Sequence, residues 1–179
     1  MADEGASPKE QLMEAARRNN TDLLQELLDS GSLKNNADAT ANFLNTTTDA
    51  LGNSALHVAA QYGSYEVLDT ILDQEGVEID GQERRDGDTC LHKAVRHVNE
   101  LAAHHWDEGR AVVDILIDAG CDPRIRNKAK MKAIDLVDPR NKELRAELQK
   151  AELQLQMGGD TVEDDDEEGR HDGPGSESD

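Results

Sequence analysis

Aromatic side chains are almost missing from this chain of 179 residues, which holds one Trp, one Phe and two Tyr. Its basic positions therefore lack the interleaved rings on which unpaired bases stack, and a net charge of -20 repels a phosphate backbone at long range. Nucleic acid is accordingly not an expected partner. No apolar run is long enough to span a bilayer, and no charged-then-apolar leader is present. A soluble protein of the cytoplasm, and also of the nucleus, is expected, with no membrane partner. The two cysteines, Cys90 and Cys121, have no metal-ligand spacing and are expected as reduced thiols, packed or half exposed. A phosphate loop, a nucleophile elbow and a supported Ser-His-Asp arrangement are all missing. His97, His104 and His105 crowd near Trp106, Asp107 and Glu108, but adjacent His104 and His105 would leave a helix on different sides. No second cluster supplies ligands, so no metal, no cofactor and no catalytic residues are expected, and the protein is not expected to be an enzyme.

What the chain does have is a recurrence. From Leu56, small and apolar residues fall at Ala59, Ala60, Gly63, Val67, Leu68, Ile71 and Leu72. From Leu12 the same offsets give Ala15, Ala16, Asn19, Leu23, Leu24, Leu27 and Leu28, with Gly31 beyond them. A third unit starts at Leu91 with Ala94 and Val95 and closes with Val112, Val113, Leu116, Ile117 and Gly120, and a degenerate fourth follows from Ile134. Offsets of three, four and seven place one apolar stripe on each of two short helices per unit, and the small Ala pair lets neighbours approach closely. Neither helix can bury its stripe alone, so the units must stack, each covering the next. At about 1.5–3 kcal/mol per large side chain buried, about six such residues per unit roughly offset the entropy of ordering it.

These residues resemble the ankyrin repeat. Gly52-NSALHVAA and Gly87-DTCLHKAV are similar to the family's G-x-T-P-L-H-x-A-A signature, with Ser54 and Thr89 at the threonine position and His57 and His92 at the histidine. Gly120-CDPRIRN is similar to its closing turn. The resemblance covers about residues 9 to 150 and implies an all-α fold, an ankyrin-repeat α-solenoid of about four repeats. It implies that the Thr/Ser and His side chains hydrogen-bond within the repeat and fix the turn. Ala55 and Cys90 stand where the family has Pro, Asn19 and Asn20 replace Gly-His, and the fourth unit keeps only Ala133-IDLV before Pro139. The end units therefore read as caps. The chain is also similar to small fungal ankyrin-repeat proteins of about this length, and partly similar to a ribosomal-protein chaperone with ankyrin repeats.

Unit starts at 12, 56, 91 and 134 are wider apart than the family period of about 33 residues. The first excess falls in residues 32–50, where the family carries a hairpin, and the second in 98–110, between the helices of the third unit; both are expected as lengthened loops. The chain divides into a flexible N-terminus at 1–8, a repeat domain at 9–157 and an acidic tail at 158–179. That tail holds ten acidic residues against Arg170 and has almost no apolar side chain, so it is expected to be disordered. It could solubilise, recruit a basic client or fold over the groove.

In the ankyrin family the hairpin tips and the exposed faces of the first helices line a concave groove. Carried onto this chain residue by residue, the groove receives Arg17, Arg18, Gln61, Tyr62, Arg96 and His97 from helices. The hairpins add Leu51, Asn53, Arg84, Arg85, Asp86, Asp88, Lys128, Lys130 and Met131. Seven of these are basic and two acidic, so a basic groove is expected in an acidic body. The convex side instead carries Asp22, Glu26, Asp29, Glu66, Asp69, Asp73, Asp114 and Asp118. The expected function is a monomeric protein-interaction adaptor that docks one protein partner in this groove, an acidic segment with Tyr62 as aromatic anchor. The alternative is an escort or chaperone of a basic client such as a ribosomal protein, using the acidic surface and tail. Within the groove reading, snorkelling of the arginines along the wall is the competing account.

Overall fold

The apolar stripes form helices that stack in chain order. The computed structural model describes residues 5–158, so most of the expected acidic tail and the first four residues lie outside the described residues. Helices α1 (Pro8–Arg18) and α2 (Thr21–Leu28) make the first unit, α4 (Ala55–Tyr62) and α5 (Tyr65–Leu72) the second, and α6 (Cys90–Glu100) and α7 (Trp106–Asp118) the third. The inner helices α1, α4 and α6 pack on one another in sequence, and the outer helices α2, α5 and α7 do the same. All regular elements among the described residues are helical, and the one extended pairing is an isolated bridge between Thr48 and Ser54. The recurring positions are the core: Leu12, Ala15, Ala16, Leu24, Val67, Leu68, Leu91, Ala94, Val95, Val113 and Leu116 are fully buried.

The inner helices start where a short polar side chain can accept an unpaired amide. Ser7 caps α1 with Glu10, Ser54 caps α4 with His57, and Thr89 caps α6 with His92, each in a reciprocal capping box. The Asn19 substitution has a use of its own. It ends α1 in the left-handed conformation that glycine takes at Gly63, and its side chain reaches the next unit, accepting from Val67 N at 3.0 Å and donating to Glu66 at 2.6 Å. Ser64 returns the contact by donating to the Ala16 carbonyl at 2.6 Å. Units one and two thus cap one another's helix ends.

The two insertions are not loops. Residues 37–46 form helix α3 (Ala37–Thr46), capped by Asn36 on Ala39 N, with Thr40 and Leu44 buried one turn apart. The Asn and Thr that suggested a loop are used internally: Thr40 donates to the Leu33 carbonyl, and Asn45 bridges Gly76 O and Glu78 N at 3.0 and 2.8 Å. The second excess lengthens α6 and α7 to 11 and 13 residues around a short 3-10 turn at Ala103–His105. A helix satisfies its own backbone, which an exposed loop of the same length leaves to water. The fourth unit begins with a 3-10 turn at Ala133–Leu136 and ends with a helix, α8, over residues 142–158. Leu144 and Leu148 of α8 are fully buried, and they close the stack.

The histidines hold the units in register. The Ser54 amide can only donate, and it lies 3.1 Å from His57 Nδ1, so the ring proton sits on Nε2 and is donated to the Gly81 and Asp88 carbonyls at 3.0 and 3.1 Å. His92 repeats this, with Thr89 N at 3.1 Å from Nδ1 and the Met131 carbonyl 2.8 Å from Nε2. Burial pushes both rings below the ordinary histidine value of 6.5. A depressed histidine contributes stability that is present above about pH 6.5 and lost as pH falls through its folded value. Nitrogen NMR should show both rings as the Nε2–H tautomer at neutral pH, titrating below free histidine. His92→Gln should cost about 1–2 kcal/mol in chemical denaturation and flatten that acid slope.

Candidate functional site

Three hairpin tips project from the stack, and an acceptor side chain at the base of each organises the turn. Asp49 accepts from the amides of Leu51 and Asn53, both at 2.9 Å. Asn127 accepts from Ala129 and Met131 at 2.9 and 3.0 Å. In the middle tip Glu83 takes the role and accepts from Arg85, Asp86 and Asp88 at 2.6, 2.7 and 3.1 Å. That tip closes from Glu83 to Asp88, one residue longer than the closures from Asp49 to Asn53 and from Asn127 to Met131. The extra methylene of Glu supplies the added reach. Burial works against the charge of Glu83, yet these three amides prevail and hold its carboxyl below the usual range.

The tips are stitched to one another, and the expected binding residues do much of the stitching. Arg84 donates to the Ala50 carbonyl of the preceding tip at 2.9 Å. Lys128 donates through its Nζ to the Arg84 carbonyl and through its backbone to Asp86 O at 2.9 Å. A Cβ on Gly52 would lie 2.6 Å from Arg84 Cβ, so that glycine is required by the close approach of the two tips.

Beneath the tips lies Asp88, whose side chain is fully buried. Arg96 Nε donates to it at 2.7 Å and Arg96 Nη2 at 3.5 Å, Asn127 donates at 2.8 Å, and Lys93 stands 3.8 Å away. Burial raises its carboxyl, but the Arg96 and Asn127 donors outweigh that and leave it below the usual carboxylate value. Asp88 therefore cannot be a contact residue; it braces the second and third hairpins. Asn53 is buried too and donates to Asp49 at 3.3 Å.

The remaining basic positions divide. Arg17 and Arg18 both pair with Glu14, Arg17 at 3.3 Å. His97 packs on Gly63, where any Cβ would collide with its ring; burial lowers its pKa while the Gln61 carbonyl and Glu100 favour its charge. Gln61, Tyr62, Arg85 and Lys130 are exposed. Among the described residues Arg85 and Lys130 make no ion pair. With Glu14 and Glu83 included, seven basic groups meet four acidic ones, so the groove is less basic than the residue mapping implied. Spacing could have revealed Glu14, which lies three and four residues before its arginines. Glu83 and Asn127 were legible only as the residues opening each tip.

Two further clusters carry groups that could act as metal ligands. The rings of His104 and His105 lie with centroids 4.1 Å apart at a 46° tilt, and His105 contacts Glu108 at 2.9 Å on the exposed surface. Carboxylate oxygens of Glu83, Asp86 and Asp88 come within 4.8 Å of one another, but Glu83 and Asp88 already accept from the internal donors described above. Cys90 and Cys121 are unpaired and buried, and burial pushes the Cys90 thiol up to about 12, so both are inert.

The comparisons agree with this geometry. A family model described as ankyrin repeats (3 copies) matches residues 12–127. Ankyrin repeat-containing protein YGL242C of Saccharomyces cerevisiae is 49% identical over 138 residues, a match that spans 76% of this chain and 73% of that protein.

The network separates structural arginines from free ones. Arg96→Met should destabilise by about 2 kcal/mol in urea unfolding, because Asp88 keeps its charge and loses a donor. Arg85→Ala should stay within about 0.5 kcal/mol. Lys130 occupies the glycine position of its tip with φ 68°, so Lys130→Gly should stabilise by about 1 kcal/mol in the same assay.

Proposed function

The chain belongs to the ankyrin-repeat family, an interaction fold whose partners are proteins, and from that premise we propose a non-enzymatic adaptor that captures one protein segment on its concave side. The observation that carries this reading is which groove residues the stack leaves unused. Asp88, Asn53, Arg84, Lys128, Arg96 and His97 serve the stack, whereas Leu51 and Tyr62 stand 47% and 53% exposed on the second unit. Arg85 and Lys130 supply exposed positive charge on the second and third tips. An exposed aliphatic side chain at the tip, an exposed aromatic at the far end of α4 and cations on the following tips suit an extended amphipathic segment, apolar against Tyr62 and Leu51 and carboxylate-bearing toward the tips.

A second reading is favoured by the convex side. Asp22, Glu26, Asp29, Glu66, Asp69, Asp73 and Asp118 are all exposed, and none forms an ion pair among the described residues. Such a surface suits a basic client, and the escort role belongs here, with the acidic tail as an extension of the same charge. Action as a monomer in the cytoplasm and nucleus, without nucleic acid, is part of the same proposal. No helix among the described residues is long and apolar enough to cross a membrane.

Affinity capture from cell extract distinguishes the two. Leu51→Ala with Tyr62→Ala should weaken the adaptor's partner by at least about tenfold, worth roughly 1.4 kcal/mol or more, with an unchanged melting temperature. Reversing Asp69, Asp73 and Asp118 to Lys should leave that partner bound and release only a basic client. Retention of every partner by the Leu51 and Tyr62 variant would refute the groove reading.

A further inference from the structure

The helix that closes the stack meets α7 at a site with more carboxyl groups than donors. Arg110 of α7 lies 2.9 Å from Glu143, 3.4 Å from Glu147 and 3.6 Å from Asp107. Asp114, one turn further along α7, is within hydrogen-bond reach of the Glu147 carboxyl. Four acids thus surround one guanidinium, and the other cation facing Glu147 is Lys150 of its own helix. Asp114 Oδ1 is buried and has no hydrogen-bond donor among the described residues. A buried carboxylate oxygen with no donor is strongly disfavoured, and two touching carboxylates cannot both stay ionised in a half-buried site. One proton between them removes both problems, turning a repulsion into an O–H···O bond.

We propose that Asp114 and Glu147 share a single proton, and that this proton latches α8 to α7, so the cap of the stack loosens when the proton leaves. The groups facing the pair are Asp107 and Arg110 on α7 and Glu143 and Lys150 on α8; the acids favour retention of the proton and the cations favour its loss. Burial, the bond to Asp114 and the charge of Asp114 together push the Glu147 carboxyl up to about 7, against Arg110 and Lys150. The latch therefore responds within the ordinary intracellular range. Opening it frees the side of α8 that carries Ala151 and Leu155 from Ile117, Cys121 and Pro123, with which they line one cavity, and uncovers the apolar end of the stack.

The sign follows from linkage. Glu147 has a folded pKa above its ordinary value, so its contribution to stability is complete at low pH and disappears as pH rises through about 7. His57, His92 and His97 act oppositely, because their lowered values withdraw stability as pH falls below 6.5. The two slopes offset each other in the native chain, and a variant is needed to expose the latch.

Glu147→Gln provides it, since an amide donates to Asp114 at every pH. The melting temperature of Glu147→Gln minus that of the native chain should be smallest at about pH 4.5, should grow as pH rises through about 7, and should reach several degrees by about pH 8. Asp114→Asn should show the same pH-dependent gain, and it decides the matter if the first variant does not fold. Carboxyl carbon NMR of the native chain should show the pair titrating in two separated steps, the upper one near neutrality. Amide exchange across residues 142–158, corrected for intrinsic base catalysis, should accelerate with pH relative to α4 in the native chain and not in Glu147→Gln. Two carboxyls that both titrate below about 5, or a difference in melting temperature independent of pH, would overturn the proposal.

Discussion

The second and third units of this protein each depend on a neutral imidazole placed where it can reach the next hairpin. The Nδ1 of His57 and of His92 closes the turn at the start of its own helix, and the opposite nitrogen donates to backbone carbonyls of the following hairpin. A five-membered ring has its two nitrogens on opposite flanks, so one side chain fixes the local turn and the spacing between units together. Protonation would destroy the first bond, which is why burial of the rings belongs to the same arrangement. The close packing of Ala59 and Ala60 and of Ala94 and Val95 between the inner helices depends on that spacing.

The same economy of space determines what the concave face offers. Tips that approach within van der Waals contact need donors to satisfy one another's carbonyls, and Arg84 and Lys128 provide them. A buried carboxylate at Asp88 braces two hairpins only if a cation reaches it, and Arg96 does. Basic residues that look like a docking surface in one dimension are thus divided between holding the scaffold and meeting a partner. Those left over, Arg85 and Lys130, lie exposed at the second and third tips, and Leu51 and Tyr62 are exposed on the second unit. The convex side shows the reverse: of its acids on α2, α5 and α7, Glu66 accepts from Asn19 and Asp114 meets Glu147, while Asp22, Glu26, Asp69, Asp73 and Asp118 stand exposed without an ion pair among the described residues.

Trp106 illustrates how the ends of the array are sealed. It begins α7 inside the second insertion, packs against the core and lies under Arg140, whose guanidinium carbon is 5.6 Å from the ring centroid. Arg140 is itself held by Asp138. Asn99 adds a polar tie, donating to Leu136 O at 2.7 Å and accepting from Asp138 N at 3.1 Å. The degenerate fourth unit, though it keeps little of the repeat signature, is fastened to the third by these contacts and by the buried face of α8.

Local patterning by itself determined the repeats, the two-helix unit and the buried stripe, because offsets of three and four on a 3.6-residue helix leave one face to bury and only a neighbouring unit can cover it, while the roles of Ser54 and Thr89 came from the resemblance to the ankyrin repeat. It misled over residues 37–46, where Asn and Thr are read as loop formers unless Leu33, Gly76 and Glu78 are known to lie within reach of their side chains. The resemblance to the ankyrin repeat placed Arg17, Arg84, Arg96 and Lys128 on the concave side but could not show that each is engaged. Tertiary structure alone decided that, along with the convergence of Asp107, Glu143 and Glu147 on Arg110 and the meeting of Asp114 with Glu147. The reason is physical: an ion pair or a shared proton depends on distances of a few ångströms between residues up to about forty apart in the chain, and such distances exist only once the units have stacked.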